Sequence, residues 1–423
     1  MIITVERGDS VFSIARQYSV LPEKILSDNG LKAEESLVTG QSLVILSPSE
    51  VFDAVRATDV RYISEETGVR EKNVYRNNYF LGGRRNVPAL SQVVLKYTDE
   101  PVYSAVVGGY AYDFISTDRL YEVVNYLTYV MPFTYGFTPN GSLVVPDDGY
   151  IIRAAKERNV MPLMHLSTLT PEGNFDSNLP VLLFENPDYV DMLLYNVVDT
   201  VITKGYEGVD VDFEFLPSSE KENYVEFLAQ LSERLHEMGK ILVVAVPPKI
   251  SDEQRGILYE GIDYSGIGKY ADYVLAMTYE WGYKFGPPLA VSPIPSVRRV
   301  LDYAVTRIPR NKLLLGISNY GYDWTLPYIR GESEAQTVST VEAVDIARRY
   351  GADIVFDDFS GAPYFFYTDN AERQHEVWFE DARSFEEKTK LIKEYELAGG
   401  FVWELMRQNP QGYVTLNSQL DIM

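Results

Sequence analysis

From Ala105 onward the chain repeats one pattern, an apolar run followed by a stretch whose apolar positions recur every three or four residues. The runs are Ala105 to Tyr112, Leu127 to Phe137, Val160 to Leu166, Val209 to Phe215, Leu242 to Pro247, Tyr273 to Tyr279, Leu313 to Ile317 and Gly400 to Leu405. Between them lie helical patterns: Tyr224, Phe227, Leu228, Leu231 and Leu235 fall on one face and are stopped by Gly239. Ser384 and Glu387 have capping-box spacing ahead of Leu391, Ile392 and Tyr395, with Gly399 and Gly400 as the stop. Eight strand-then-helix units predict an α/β chain folded as a (β/α)8 barrel.

One interval is too long for a single helix. Between the seventh and eighth runs, Trp324, Tyr328, Tyr364, Phe365, Phe366, Tyr367 and Trp378 mark a small α+β insertion at about 318–383, and their density suits a satellite core as well as a ligand wall. The first 97 residues read as an internal repeat. Val5 to Ser10, Ile14, Val20, Asn29 and Gly40 to Ile45 align with Val55 to Asp59, Ile63, Val69, Asn78 and Leu90 to Leu95. Each copy predicts a βααβ module, at 1–48 and 49–97, and the polar stretch Lys96 to Pro101 leads into the barrel at 98–423.

Composition narrows the chemistry. A formal charge of −23 argues against nucleic acid and anionic membranes as partners, and 46% hydrophobic content supplies a large core. With no cysteine and three histidines (His165, His236, His375), the chain offers no thiol nucleophile, no disulfide framework and little for a metal centre. No HExxH or phosphate-loop pattern occurs, and no cofactor is expected. No apolar run has membrane-spanning length, and the N-terminus lacks a signal-peptide pattern, which predicts synthesis and folding in a cytoplasm.

The stretch Gly205 to Pro217 concentrates what chemistry there is. Strand alternation puts Asp210, Asp212 and Glu214 on one face and Val209, Val211, Phe213 and Phe215 on the other. If a helix covers the apolar face, three acids point into the barrel, where burial and mutual repulsion raise their pKa values. An acidic strand edge or a calcium site is the plainer alternative, but calcium loops favour glycine turns over Val-rich strand spacing.

The stretch resembles the D-G-x-D-x-D-x-E signature of glycoside hydrolase family 18, with Glu207 where the family has Asp and with Gly208, Asp210, Asp212 and Glu214 matching. Met277-Thr-Tyr279-Glu280-Trp281 resembles the family's Met-x-Tyr-Asp segment, and Gly400-Phe-Val-Trp403 its terminal Gly-x-x-Trp. The resemblance implies Glu214 as general acid, Asp212 and Asp210 as its catalytic supports and Tyr279 as a holder of the substrate's 2-acetamido group. It also implies Trp403, Glu280 and Trp281 as substrate contacts, with Glu280 replacing the usual Asp. Substrate-assisted, retaining hydrolysis next to N-acetylglucosamine would follow.

The N-terminal repeats resemble lysin motifs, modules that bind N-acetylglucosamine-containing glycans. Gly8-Asp9-Ser10, Asn29 and Gly40-Gln41 carry the first match, and Ala57-Thr58-Asp59 and Leu90 make the second degenerate. The full arrangement resembles N-acetylglucosaminidases that degrade spore cortex fragments, which implies peptidoglycan or a chitin-like glycan as partner, synthesis in the mother cell and deposition on the spore. A chitinase, a chitinase-like lectin and a non-catalytic spore-coat or wall protein are the other readings.

Overall fold

The structure is a computed structural model that describes residues 1–46, 103–170 and 175–423, plus the backbone of two paired short strands, Tyr75–Asn78 and Ser91–Val94. The rest of the second repeat lies outside the described residues.

The apolar runs form the barrel they predict. Parallel strands Ser104–Tyr112, Tyr129–Phe133, Met161–Pro162 with Met164–Ser167, Gly208–Asp212, Ile241–Val246, Tyr273–Ala276, Leu313–Ser318 and Gly399–Trp403 pair in chain order, the last with the first. The third strand is split at Leu163. Its first piece pairs back to the second strand (Val130 with Pro162), and its second pairs forward to the fourth (His165 with Asp210), which closes the ring.

Period-two alternation sorts the side chains. Val106, Leu163, Val243, Ala245, Leu275 and Phe401 fill the barrel. Val107, Val209, Val211, Val244 and Leu315 face outward into the shell where Phe227, Leu231 and Leu235 of helix Lys221–His236 pack. Burying each such aliphatic chain contributes about 1.5–3 kcal/mol.

Three local expectations change. The fourth strand is shorter than Gly205 to Pro217: Gly205 caps the preceding helix, Pro187–Lys204, and Phe215 turns left-handed at φ 55°, so the alternation ends at Glu214. The last predicted helix, Ala382–Glu394, begins one turn earlier than Ser384 implies. Asp381 is its N-cap, accepting from Arg383 N at 2.8 Å and Ser384 N at 3.4 Å, while Ser384 Oγ accepts from Asp381 N at 2.8 Å. A carboxylate outcompetes a hydroxyl as the acceptor for free helix N–H groups. Gly399 and Gly400 do not stop that helix, which ends at Tyr395; they open the eighth strand, where a Cβ on Gly399 (φ +155°) would overlap the carbonyl oxygen of Val106.

The insertion is a five-stranded antiparallel sheet, ordered Gln336–Val338, Gly321–Thr325, Gln374–Trp378, Ala362–Thr368, Val355–Asp357. Helix Thr340–Tyr350 covers it around a core that includes Val338, Ala347, Phe365 and Val377.

Residues 1–46 form the expected βααβ unit from strands Ile2–Thr4 and Ser42–Val44 and helices Val11–Tyr18 and Pro22–Asn29. Asn29, a marker of the repeat, clamps the second helix to the sheet: its amide accepts from Val44 N at 2.6 Å and donates to Val44 O at 2.9 Å. The unit is docked on the enzyme body. Val38 joins the insertion's core, and Val44 and Leu46 pack on Ala382 and Val414. Buried Ser42 Oγ donates to Gln411 Oε1 at 2.6 Å, and Ile354 N donates to Thr39 O at 2.9 Å. Gly40 sits at φ +83°, where a Cβ would overlap the carbonyl oxygen of Ile354.

Candidate active site

The site lies at the C-terminal ends of the strands, where barrel loops converge. A cavity of about 470 Å³ opens there, lined by Asp212, Glu214, Tyr279, Glu280, Trp281 and Trp403 among others. Six of the seven residues singled out from the sequence thus meet on one cavity. Asp210, the seventh, is wholly buried one strand layer deeper. Glu207 faces the other end of the strand and pairs with Lys240 at 2.8 Å, outside the site.

The fourth strand sets a ladder of three carboxyls with falling burial. Asp210 and Asp212 are buried and Glu214 is half-buried at the cavity. Burial raises the Asp212 pKa and the charge of Asp210 adds to it. Burial likewise pushes the Glu214 carboxyl up, to about 8, with Asp212 second and Glu280 contributing, while His165 opposes the rise. Asp210 Oδ1 and Asp212 Oδ1 receive no hydrogen bond among the described residues.

His165 orders the deep end. Its Nδ1 lies 2.7 Å from Asp210 Oδ2, its ring stacks on Phe133 at 4.8 Å between centroids, and Tyr110 meets it edge-on at 5.2 Å. Trp403 stands against Phe133 (4.9 Å) and Tyr110 (5.4 Å), so the indole is braced from behind and presents its free face to the cavity. Its peptide bond to Glu404 is cis.

Tyr279 follows the sixth strand. Burial first, then Asp212 and Glu214, holds its phenol well above the usual range, so it remains a hydrogen-bond donor. Glu280 turns the chain at φ 67° and accepts hydrogen bonds from Tyr320 and, at 2.9 Å, from Tyr322, both from the start of the insertion. Loss of water raises its pKa and the two phenols partly offset the rise. Among the described residues no group of three His, Asp or Glu side chains is arranged to hold a metal ion.

The sequence reading passed over His165, Tyr320 and Tyr322. His165 was legible in principle, since Leu163, His165 and Ser167 share the inward face of a strand beside the acids. The tyrosines depended on how the insertion folds back.

A parallel eight-stranded barrel with an acid ladder and a braced tryptophan at its C-terminal mouth defines a glycosidase, and the chain belongs to glycoside hydrolase family 18: the family model for glycosyl hydrolases family 18 matches residues 176–408. A LysM domain model matches residues 3–46. The chain is similar to the cortical fragment-lytic enzyme of Bacillus anthracis, with 33% identity over 421 residues covering 97% of this chain and 96% of the relative. It is 39% identical to the cortical fragment-lytic enzyme of Bacillus subtilis (strain 168) over 302 residues, 71% of this chain and 70% of that one. Among solved structures, the Bacillus cereus spore cortex-lytic enzyme SleL superposes with a TM-score of 0.85 at 32% identity, covering 100% of this chain and 98% of the other.

Proposed function

We propose that this glycosidase cuts β-1,4 linkages following N-acetylglucosamine in peptidoglycan or spore cortex fragments, with retention of configuration and with the substrate's own acetamido group as nucleophile. The observation that carries the reading is the pair Asp212 and Glu214, both pushed toward the protonated state on an aromatic cavity. The cortex as substrate rests on what the relatives are named for.

The sugar to be cut stacks on Trp403. Glu214 gives its proton to the glycosidic oxygen as the acetamido carbonyl oxygen attacks the anomeric carbon, and the leaving sugar departs as an alcohol. Asp212 orients the acetamido N–H and stabilises the oxazolinium, with Asp210 behind it sharing a proton or a hydrogen bond. The Tyr279 phenol holds the carbonyl oxygen in line. Water then adds to the anomeric carbon from the face the leaving sugar vacated, Glu214 takes the water's proton, and the bond from the anomeric carbon to the acetamido oxygen breaks, reopening the oxazolinium ring. Glu280 and Trp281 contact the substrate beside this centre.

In the same proposal 1–48 and 49–97 are lysin modules, 98–423 is the catalytic unit, and the protein is made in the mother cell and laid down on the spore. The test is mass spectrometry of products from purified cortex muropeptides, with the anomer followed by NMR and a thiazoline mimic of the oxazoline as inhibitor. Fragments ending in N-acetylglucosamine, formed with retention and blocked competitively, are expected. Inversion, or products from chitin oligosaccharides alone, would overturn the proposal.

A further inference from the structure

Next to the catalytic cavity lies a second, more polar chamber of about 410 Å³. Tyr112, Glu280 and Trp403 line both, so the two chambers lie side by side at the indole. The second chamber is large enough for one sugar ring beside the one on Trp403.

Its walls are chemically uneven. Phe114, 71% exposed, stacks on Tyr112 at 5.1 Å and offers an aromatic face to the solvent side. Arg407 is the one cation among the lining residues. The Arg407 carbonyl is pinned by Arg119 Nη2 and, at 3.0 Å, by Asn319 Nδ2, which fixes where the side chain starts. The guanidinium itself is loosely engaged. It approaches Glu342 Oε2 and Glu404 Oε1 at 3.7 Å each, beyond hydrogen-bond reach. Those acids are satisfied elsewhere: Glu342 Oε2 accepts from Ser339 N at 2.7 Å, Glu404 Oε2 from Met406 N at 3.0 Å, and Glu280 from its two tyrosines. A planar fork of donors with its hydrogen bonds unspent suits a two-oxygen acceptor.

We propose that this chamber receives the sugar adjacent to the one whose bond is cut, and that Arg407 selects for a carboxylate-bearing substituent on that sugar, such as an ether-linked lactyl group. A neutral amino-sugar polymer offers the guanidinium acceptors but no opposite charge. The inference rests on the proposed peptidoglycan-directed hydrolysis and adds a residue that separates acidic from neutral glycans.

The test compares kcat/KM for one oligosaccharide of alternating N-acetylglucosamine and muramic acid in two forms, with the lactyl carboxylates intact and with them reduced to alcohols. The full-length enzyme should favour the carboxylate form by about tenfold or more, the scale of a charged hydrogen-bond pair. In Arg407→Gln the ratio should fall to about one, and Arg407→Lys should restore at most part of it. Because the readout is a ratio on one enzyme sample, a partly unfolded variant does not distort it. A ratio near one in the unmodified enzyme, or an unchanged ratio in Arg407→Gln, would overturn the inference. Hydrolysis of neither form would strike the parent proposal itself, and this inference with it.

Discussion

Replacing Glu214 by Gln should make the protein harder to melt at neutral pH while abolishing most of its turnover. The folded chain holds this carboxyl up at about 8, whereas a free glutamate ionises near about 4.3. Because the folded pKa is the raised one, the unfolded chain releases its proton first as pH rises, and stability drains away from about pH 4 to about pH 8. At about 1.4 kcal/mol per pKa unit the ceiling at pH 7 is about 4 kcal/mol; since Asp212 shares the burden, a gain of order 1–3 kcal/mol is expected, or about 1–3 °C for a chain of this size. Differential scanning calorimetry at pH 4 and pH 7.5 reads it, with kcat measured on the same samples. Equal melting at pH 4, a higher Tm for the variant at pH 7.5 and a rate loss of 10²-fold or more are expected. A Tm gain of the same size at both pH values would show that packing, and not the proton, is responsible.

Asp212→Asn should also cripple turnover and move the alkaline limb of kcat/KM to lower pH, because the Asp212 charge helps hold the Glu214 proton; an unmoved limb would break that link. Trp403→Ala should weaken oligosaccharide binding by roughly tenfold, the scale of a lost aromatic platform, as read by calorimetric titration. Removing residues 1–46 should lower the Tm of the remainder by several degrees, since it uncovers Ala382, Val414 and the edge of the insertion core, and Gly40→Val should reproduce much of the loss with the unit still present. An unchanged Tm in both would show that the docking contributes nothing to stability.

The chain announces its periodic features. Parallel strands buried on both faces read as apolar runs, and three acids two residues apart on one of them fall on the inward face because strand geometry leaves no other choice. Features that depend on a partner from another part of the chain are silent. The left-handed turn at Phe215 has no glycine to mark it. His165 meets Asp210 only through the register of two strands 45 residues apart. Glu280 is held by tyrosines of the insertion, whose aromatic density suggested a core and served partly as one: Trp324 is buried in it, while Tyr320 and Tyr322 turn their hydroxyls to the site. The displaced cap at Asp381 shows a local pattern losing to a stronger acceptor three residues away.

The seam between the N-terminal unit and the insertion changes what attachment means for this enzyme. Two modules on a slack leash raise local concentration and leave the cutting position free, with an effect that falls smoothly as the leash lengthens. The first unit here is instead bolted down through Val38, Gly40, Ser42 and Val44, so any glycan resting on it stands at one offset and one angle from Trp403. If the unit binds glycan as proposed, strands long enough to bridge the offset would be gripped at both points, and shorter ones at one point only.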